Sequence, residues 1–242
     1  MNTSIVACDK TFNIGCRVIL WDEKEGINFL PHNRYTKRDI SFDQLSNILT
    51  QFTVHWSVTY RAKHMESGLI ARGLSCNFMI DDDKDESGYA TIYQCLPIQH
   101  GGWSQGGKFN ALGAGVEISY MPQKWSHPNL YSKTNRKKYD VPDHDTVTAP
   151  IHGTKLKVFL PTKAQMNSLK ALIWGYTELF PKIPSKFPRD KNGNYITTVL
   201  SEPEKYTGLV NHYHLKRGKI DTAGIDMKEI EEIVDSMHRL GY

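Results

Sequence analysis

Residues 208–224 read GLVNHYHLKRGKIDTAG and place two histidines, several basic side chains and one aspartate close together. In an extended segment residues i and i+2 face the same side, so His212 and His214 can both look into one site, to which Asp221 returns from the following turn. Two imidazoles and a carboxylate suit zinc, which in catalytic sites takes three protein ligands and leaves a fourth position open. His55, near the end of a predicted strand, is the candidate third ligand. Because the chain has ten histidines, the spacing alone also fits ordinary surface or core histidines.

The composition is that of an ordinary globular protein. The chain has 242 residues, 39% of them hydrophobic and 23% charged, which suits one domain spanning residues 1–242. A net charge of +4 suits an anionic partner without requiring one. The cysteines lack CxxC spacing and indicate neither a zinc knuckle nor a disulfide framework; they are Cys8, Cys16, Cys76 and Cys95.

The N-terminal residues do not show the pattern of a secretion signal, since only a few residues precede Cys8 and Asp9 follows it. No window contains the roughly 18 consecutive apolar residues that a membrane helix needs. We therefore expect a protein that is cytoplasmic when it is synthesised and does not insert into a membrane.

Helices and strands alternate along the predicted chain. The segments predicted to be helical are residues 41–52, 62–73, 162–180 and 226–240, the last opening with Asp226 and Glu229 as a capping box. The predicted strands are FTVHWSVTY (52–60), CNFMI (76–80), ATIYQCL (90–96) and GAGVEISY (113–120). This order predicts an α/β fold, with a central mixed β-sheet flanked by helices.

Residues 121–161 are polar, contain the basic run KTNRKKY and show little periodicity. We interpret this segment as a long functional loop or insertion. Two other groups, His64 in HMES and the Asp143–His144–Asp145 cluster, could also bind metal, but we interpret both as surface residues.

Taken together, several stretches resemble the zinc-dependent N-acetylmuramoyl-L-alanine amidase family, which includes amidase-type phage lysozymes and peptidoglycan recognition proteins. The similar stretches, in order, are FTVHWSVT, LSCNFMIDDD with TIYQCLP, HGGWSQGG through GVEISY, and VNHYHLKRGKIDTAG. The resemblance covers roughly residues 50 to 225 and implies the α/β fold of that family.

The resemblance implies His55, His212 and Asp221 as zinc ligands, with His214 as the alternative to His212. It also implies Glu117 as the general base that takes a proton from the attacking water and passes it to the leaving amine. Lys219 is implied as a cation against the developing oxyanion. Independently, a carboxylate on an apolar strand must be paired or have a role, because burying an unpaired charge is costly.

His100 and Trp103 lie on a glycine-rich loop, QHGGWSQGG, which resembles the substrate-side segment of the family. Glycine lets backbone approach a ligand closely, and an exposed Trp can stack on a sugar or peptide. An ordinary turn with a packed Trp fits the same residues. Both side chains are therefore candidates for substrate binding.

The implied reaction is hydrolysis of the amide between N-acetylmuramic acid and L-alanine in peptidoglycan. We expect a monomeric phage endolysin that acts on the cell wall after release through a membrane lesion. The alternatives are a bacterial cytoplasmic recycling amidase and a non-catalytic peptidoglycan-binding module. A metal-dependent nuclease is a further class, but the chain lacks the interleaved aromatic and basic residues that favour nucleic-acid binding.

Overall fold

The fold is built on a six-stranded mixed sheet in a computed structural model that describes residues 2–32 and 39–241. The strands are β1 Ser4–Ala7, β2 Lys10–Asn13, β3 Val18–Leu20, β4 Gln51–Trp56, β5 Phe78–Ile80, β6 Ile92–Gln94, β7 Gly113–Ile118, β8 Thr146–Ile151, β9 Thr154–Phe159 and β10 Gly208–Asn211. The helices are α1 Phe42–Ile48, α2 Ala62–Ala71, α3 Lys133–Tyr139, α4 Lys163–Leu179, α5 His212–Leu215 and α6 Met227–Leu240.

The strand order in the central sheet is β10-β4-β7-β5-β6-β3, and its one antiparallel pair among the described strands is β5 with β6. Two further pairs, β1 with β2 and β8 with β9, form separate antiparallel hairpins. The predicted α/β class with a central mixed sheet flanked by helices is confirmed.

Strand alternation gives the sheet two different faces. Phe52, Val54 and Trp56 of β4 join the main hydrophobic core, whose helical part comes from α1, α4 and α6. The intervening residues Thr53 and His55 point to the other face, because successive side chains on a strand alternate. That second face carries a smaller apolar cluster with α2. His55 therefore lies on the face that α2 covers.

The carboxyl ends of β4, β7 and β10 meet at one edge of the sheet because these three strands run parallel. The pairing places His55 opposite Glu117, and it ends with Asn211 opposite Val54. His212 follows directly. Residues far apart in sequence are thus brought to one edge, which is where open α/β sheets bind ligands.

The four predicted helices form, although α1 ends at Ile48 and not at residue 52, where β4 has already begun. Side-chain caps set the start of α1, α4 and α6, whereas α2 has none. Ser41 and Thr162 accept hydrogen bonds from the third helical residue of α1 and α4, and the reciprocal capping-box bonds are present in both. At α6 the capping-box prediction is only half right. Asp226 accepts from the Glu229 amide, but the Glu229 side chain forms an ion pair with Lys170 of α4.

Within the described part of the chain, no helix is long and apolar enough to cross a membrane.

Residues 121–161 do not form a long loop without regular secondary structure, so this part of the interpretation is wrong. The segment contains α3 and the hairpin of β8 and β9. None of the residues in α3 is buried, and the first three residues of β8 are exposed. Since few apolar side chains face a core, the sequence shows neither the periodicity of an amphipathic helix nor that of a half-buried strand. We refer to residues 121–161 as the insertion.

The surface interpretation of residues 143–145 is wrong for His144. Its Nε2 lies 2.9 Å from Asp82 Oδ2, and both side chains are fully buried. Nδ1 lies 2.6 Å from the Leu160 carbonyl oxygen, and the Tyr131 ring stacks at 4.0 Å. The pair joins the insertion to the end of β5. His64, in contrast, is exposed on α2 as predicted.

Replacing His144 by Ala should lower the free energy of unfolding by about 3–5 kcal/mol, because Asp82 would be left buried without its partner. Glu232→Ala is the control, since Glu232 forms an exposed pair with Lys228 and should cost about 0.5 kcal/mol or less. Urea denaturation of both variants measures the difference. Equal losses would show that the buried pair does not anchor the insertion.

Candidate metal centre

Three side chains predicted as ligands converge at the sheet edge. His55 Nδ1 lies 2.9 Å from His212 Nδ1 and 3.2 Å from Asp221 Oδ2, and His212 Nδ1 lies 2.9 Å from the same carboxylate oxygen. All three residues are buried. In the described part of the chain, this is the group of histidine, cysteine and acidic side chains close enough to hold a metal ion.

The triangle fits a tetrahedral zinc ion. Zinc binds imidazole nitrogen and carboxylate oxygen at about 2.0–2.1 Å, which separates two tetrahedral ligands by about 3.3 Å. Hydrogen bonds alone satisfy the two Nδ1 atoms and the carboxylate oxygen poorly. A proton on one ring nitrogen can point at only one neighbour, so lone pairs of the other atoms still face each other. A cation would accept electron pairs from all three atoms at once. The donor set therefore suits zinc, with His55, His212 and Asp221 as its ligands.

Local structure holds each ligand in place. His55 is the fifth residue of the six-residue strand β4, and His212 begins α5 directly after β10. Asp221 is tied back to this helix because its carbonyl accepts from the Tyr213 amide at 3.1 Å. The next residue, Thr222, donates its hydroxyl to Asn211 Oδ1 at 2.7 Å. The turn carrying Asp221 is thus fastened to the end of β10.

His214 does not join this group, and the extended conformation expected for residues 212–214 is wrong. The strand ends at Asn211 and the chain turns into α5, which directs His214 elsewhere. Its Nδ1 accepts from the Asn211 amide at 3.0 Å, and its Nε2 lies 2.7 Å from the Ile196 carbonyl oxygen. His214 therefore caps a helix and anchors the segment around Ile196.

The protonation states of His55 and Asp221 suit metal binding. Burial lowers the pKa of His55 to about 4, and the neighbouring His212 acts in the same direction, so His55 is neutral at neutral pH. Burial opposes ionisation of Asp221, but hydrogen bonds from His212 and His55 outweigh it and lower the pKa of this carboxyl. A neutral imidazole and an ionised carboxylate are the forms that bind metal.

Glu117 is a buried carboxylate beside the triad. It pairs in register with His55 on the adjacent parallel strand, so the two side chains lie side by side on one face. Its Oε2 is buried and has no hydrogen-bond partner among the described residues. Burial, reinforced by the Asp221 charge, raises the pKa of Glu117 well above its ordinary value, against the opposing charges of Lys219 and Arg72.

Gly115 keeps space open next to the triad. It lies two residues before Glu117 and on the same face. A Cβ at this position would come within 3.6 Å of His55 Nε2 and 3.2 Å of the Gln105 side chain. The contact with His55 would be an ordinary van der Waals contact, whereas the Gln105 side chain would have to shift by a few tenths of an ångström.

The triad opens into a pocket that contains both predicted catalytic residues, Glu117 and Lys219. Met65 and Leu69 of α2 contribute part of its apolar lining. Lys219 is exposed, and the following residues lead directly to Asp221. The pocket therefore combines charged groups near the triad with apolar side chains.

His100 and Trp103 are not among the residues that line this pocket in the described part of the chain. The backbone of each is hydrogen-bonded to a side chain just before β5. His100 accepts from Asn77 Nδ2 at 2.8 Å through its carbonyl oxygen, and the Trp103 amide donates to Ser75 Oγ at 3.0 Å. Ser104, the next residue, does line the pocket. A substrate role for His100 and Trp103 stays a prediction.

Sequence reasoning missed other residues that line the pocket. They are Trp56, Ser57, Val58, Met65, Leu69, Arg72, Leu74 and Ser104. Ser57 and Val58 lie inside the predicted strand 52–60, but β4 ends at Trp56 and leaves them just past its end, where parallel sheets bind ligands. Nothing in the sequence indicated that Arg72 lines a pocket, because a basic residue near the end of a helix is usually solvated.

No protein-family model and no curated protein sequence matches the chain. The solved structures that are similar to it include the following two. One is AmpDH3 from Pseudomonas aeruginosa in complex with anhydromuramic pentapeptide, with 13% identity and a TM-score of 0.47 over 83% of this chain and 64% of that one. The other is Staphylococcus aureus hydrolase AmiA in complex with its ligand, with 11% identity and a TM-score of 0.46 over 93% and 84%. The chain thus spans less than two thirds of the AmpDH3 structure.

Elemental analysis of the purified protein should find about one zinc ion per chain. His212→Ala and Asp221→Ala should lose it, because each removes one of three ligands. His214→Gln and His64→Ala should retain it, since His214 faces Ile196 and His64 is exposed. Chelation should lower the melting temperature of the zinc-loaded protein, because the ion binds the folded site and not the open chain. Zinc loss in His214→Gln with retention in His212→Ala would contradict the assigned ligands.

Proposed function

We propose that this chain is a zinc-dependent N-acetylmuramoyl-L-alanine amidase, which hydrolyses the amide between the lactyl group of N-acetylmuramic acid and L-alanine in peptidoglycan. One observation carries the proposal. A buried triangle of His55, His212 and Asp221 lies beside Glu117, a buried carboxylate with an oxygen that has no partner among the described residues. The family resemblance of the sequence supports the choice of bond.

Zinc, when bound, supplies a Lewis acid that polarises a carbonyl and makes water more acidic. Glu117 is placed to hold and move the proton. Its unpaired Oε2 can take a proton from the attacking water and deliver it to the nitrogen of the leaving L-alanine. The raised pKa of this carboxyl favours the second step, because a protonated acid is needed to release the amine.

Lys219 supplies positive charge on the solvent side of the triad. It lines the same pocket as Glu117, and its charge favours the ionised form of that carboxyl. A cation at this position stabilises the oxyanion that develops on the scissile carbonyl. A non-catalytic binding module would not need an unpaired buried carboxylate next to a metal triad, so the geometry favours an enzyme.

Digestion of purified peptidoglycan should release free amino groups on L-alanine without new reducing sugar ends. The glycan stays intact because the broken bond joins the lactyl carbonyl to the peptide, whereas glycosidases expose reducing ends. New reducing ends, or amino groups only on residues beyond L-alanine, would contradict the amidase assignment. Cleavage of intact sacculi fits the proposed endolysin role, and cleavage restricted to soluble muropeptides fits a recycling amidase.

Glu117→Gln should keep zinc but lower turnover by about 10²- to 10⁴-fold, the range typical of a lost acid–base group. Glu232→Gln on the exposed face of α6 is the matched control and should retain full activity. Steady-state kinetics and zinc content are measured on the same preparations. Near-normal turnover in Glu117→Gln would place the general base elsewhere.

A further inference from the structure

The insertion holds the turn that follows β4, next to the metal triad. Tyr60 in this turn stacks on Tyr139 of α3 with ring centroids 4.2 Å apart and an interplanar angle of 13°. Its hydroxyl donates to the Leu130 carbonyl oxygen at 2.9 Å. Tyr60 thereby joins the small apolar cluster of the insertion, which is centred on Tyr131, Val141 and Phe159.

The turn that the insertion contacts carries a strained residue at the pocket. Val58 has φ of +55°, a left-handed conformation that β-branched residues rarely adopt. This residue is 36% exposed and lines the pocket. A hydrogen bond of 2.7 Å between the hydroxyls of Ser57 and Thr59 braces the turn. Backbone strain of this kind persists where the surroundings enforce it and concentrates at ligand-binding sites.

The insertion also places an exposed indole beside the same wall. Trp125 is 39% exposed and packs on Trp56, with ring centroids 6.5 Å apart. Trp56 itself lines the pocket and directly follows His55. The loop bearing Trp125 is held by Lys124, which donates to the Pro128 carbonyl oxygen at 2.7 Å and lies over the Phe159 ring. The indole is therefore presented on a supported loop.

Trp56 and Val58 line the pocket, and Trp125 packs on Trp56; we call these three residues the indole wall. Arg72 and Lys219 line the same pocket, and neither forms an ion pair within the described ranges. The pocket thus offers both an apolar aromatic surface and positive charge. The substrate of the proposed amidase has a neutral sugar ring and a stem peptide with carboxylates.

We propose that the indole wall binds the pyranose ring of N-acetylmuramic acid, with Trp125 as a specificity-determining residue supplied by the insertion. This inference rests on the proposed amidase function. A neutral sugar ring has an apolar C–H face that can pack on an indole, while Arg72 and Lys219 suit the carboxylates of the stem peptide. The scissile bond then lies at the metal triad.

Calorimetric titration separates the two halves of the substrate. The ligands are a peptide-free disaccharide of N-acetylglucosamine and N-acetylmuramic acid, and a sugar-free stem peptide that begins with L-alanine. Trp125→Ala should weaken disaccharide binding about 3- to 10-fold, the worth of one aromatic contact, and leave peptide binding unchanged. Trp125→Phe should retain most of the affinity. Trp21→Ala is the matched control, because Trp21 follows β3 at the opposite edge of the sheet.

The outcomes separate this inference from the proposed function. If the wild type cleaves at L-alanine and Trp125→Ala binds the disaccharide as tightly as the wild type, the sugar assignment is overturned and the amidase proposal stands. If Trp125→Ala weakened the binding of both ligands equally, Trp125 would have only a structural role. This result would also overturn the sugar assignment. If the wild type neither cleaves peptidoglycan nor binds either ligand, both proposals fail.

Discussion

The site depends on parallel pairing of β4 with β7 and β10. This pairing places Glu117 opposite His55 and ends β10 one residue before His212. A one-residue slip between β4 and β7 would turn one of these side chains to the opposite face, because side chains on a strand alternate. The apolar residues Phe52, Val54 and Val116 oppose such a slip, since it would move them out of the core. The hydrophobic core therefore sets the register of the polar site.

Charge balance explains why such a polar cluster can be buried. When ionised, Asp221 and Glu117 together carry two negative charges in a region with little solvent, which is unfavourable unless they are paired. A divalent cation at the triad would match these two charges. Without it, burial and the Asp221 charge raise the pKa of Glu117, which favours the neutral form of this carboxyl. Lys219 and Arg72 add weaker compensation at the pocket edge.

The sequence was informative where residues face a core and uninformative where they do not. The strands around His55 and Glu117 and the helix α4 were predictable, because their apolar side chains are buried in regular patterns. The triad residues could be named, but the choice between His212 and His214 depended on where β10 ends, and strand ends leave little trace in a single sequence. The secondary structure of the insertion was missed because its elements are largely exposed. Burial of His144 was not predictable, since its partner Asp82 lies 62 residues away.

The wide spacing of the triad in the sequence has a consequence for synthesis of the protein. His55 and Asp221 are separated by 166 residues, and β10 must pair with β4 before His212 reaches the site. Contacts this distant form late, because the chain between them must first be closed into a loop. At about 5–20 residues per second, a ribosome needs on the order of ten seconds or more to make the intervening segment. A nascent chain therefore has no complete metal centre during the interval between the synthesis of His55 and that of Asp221.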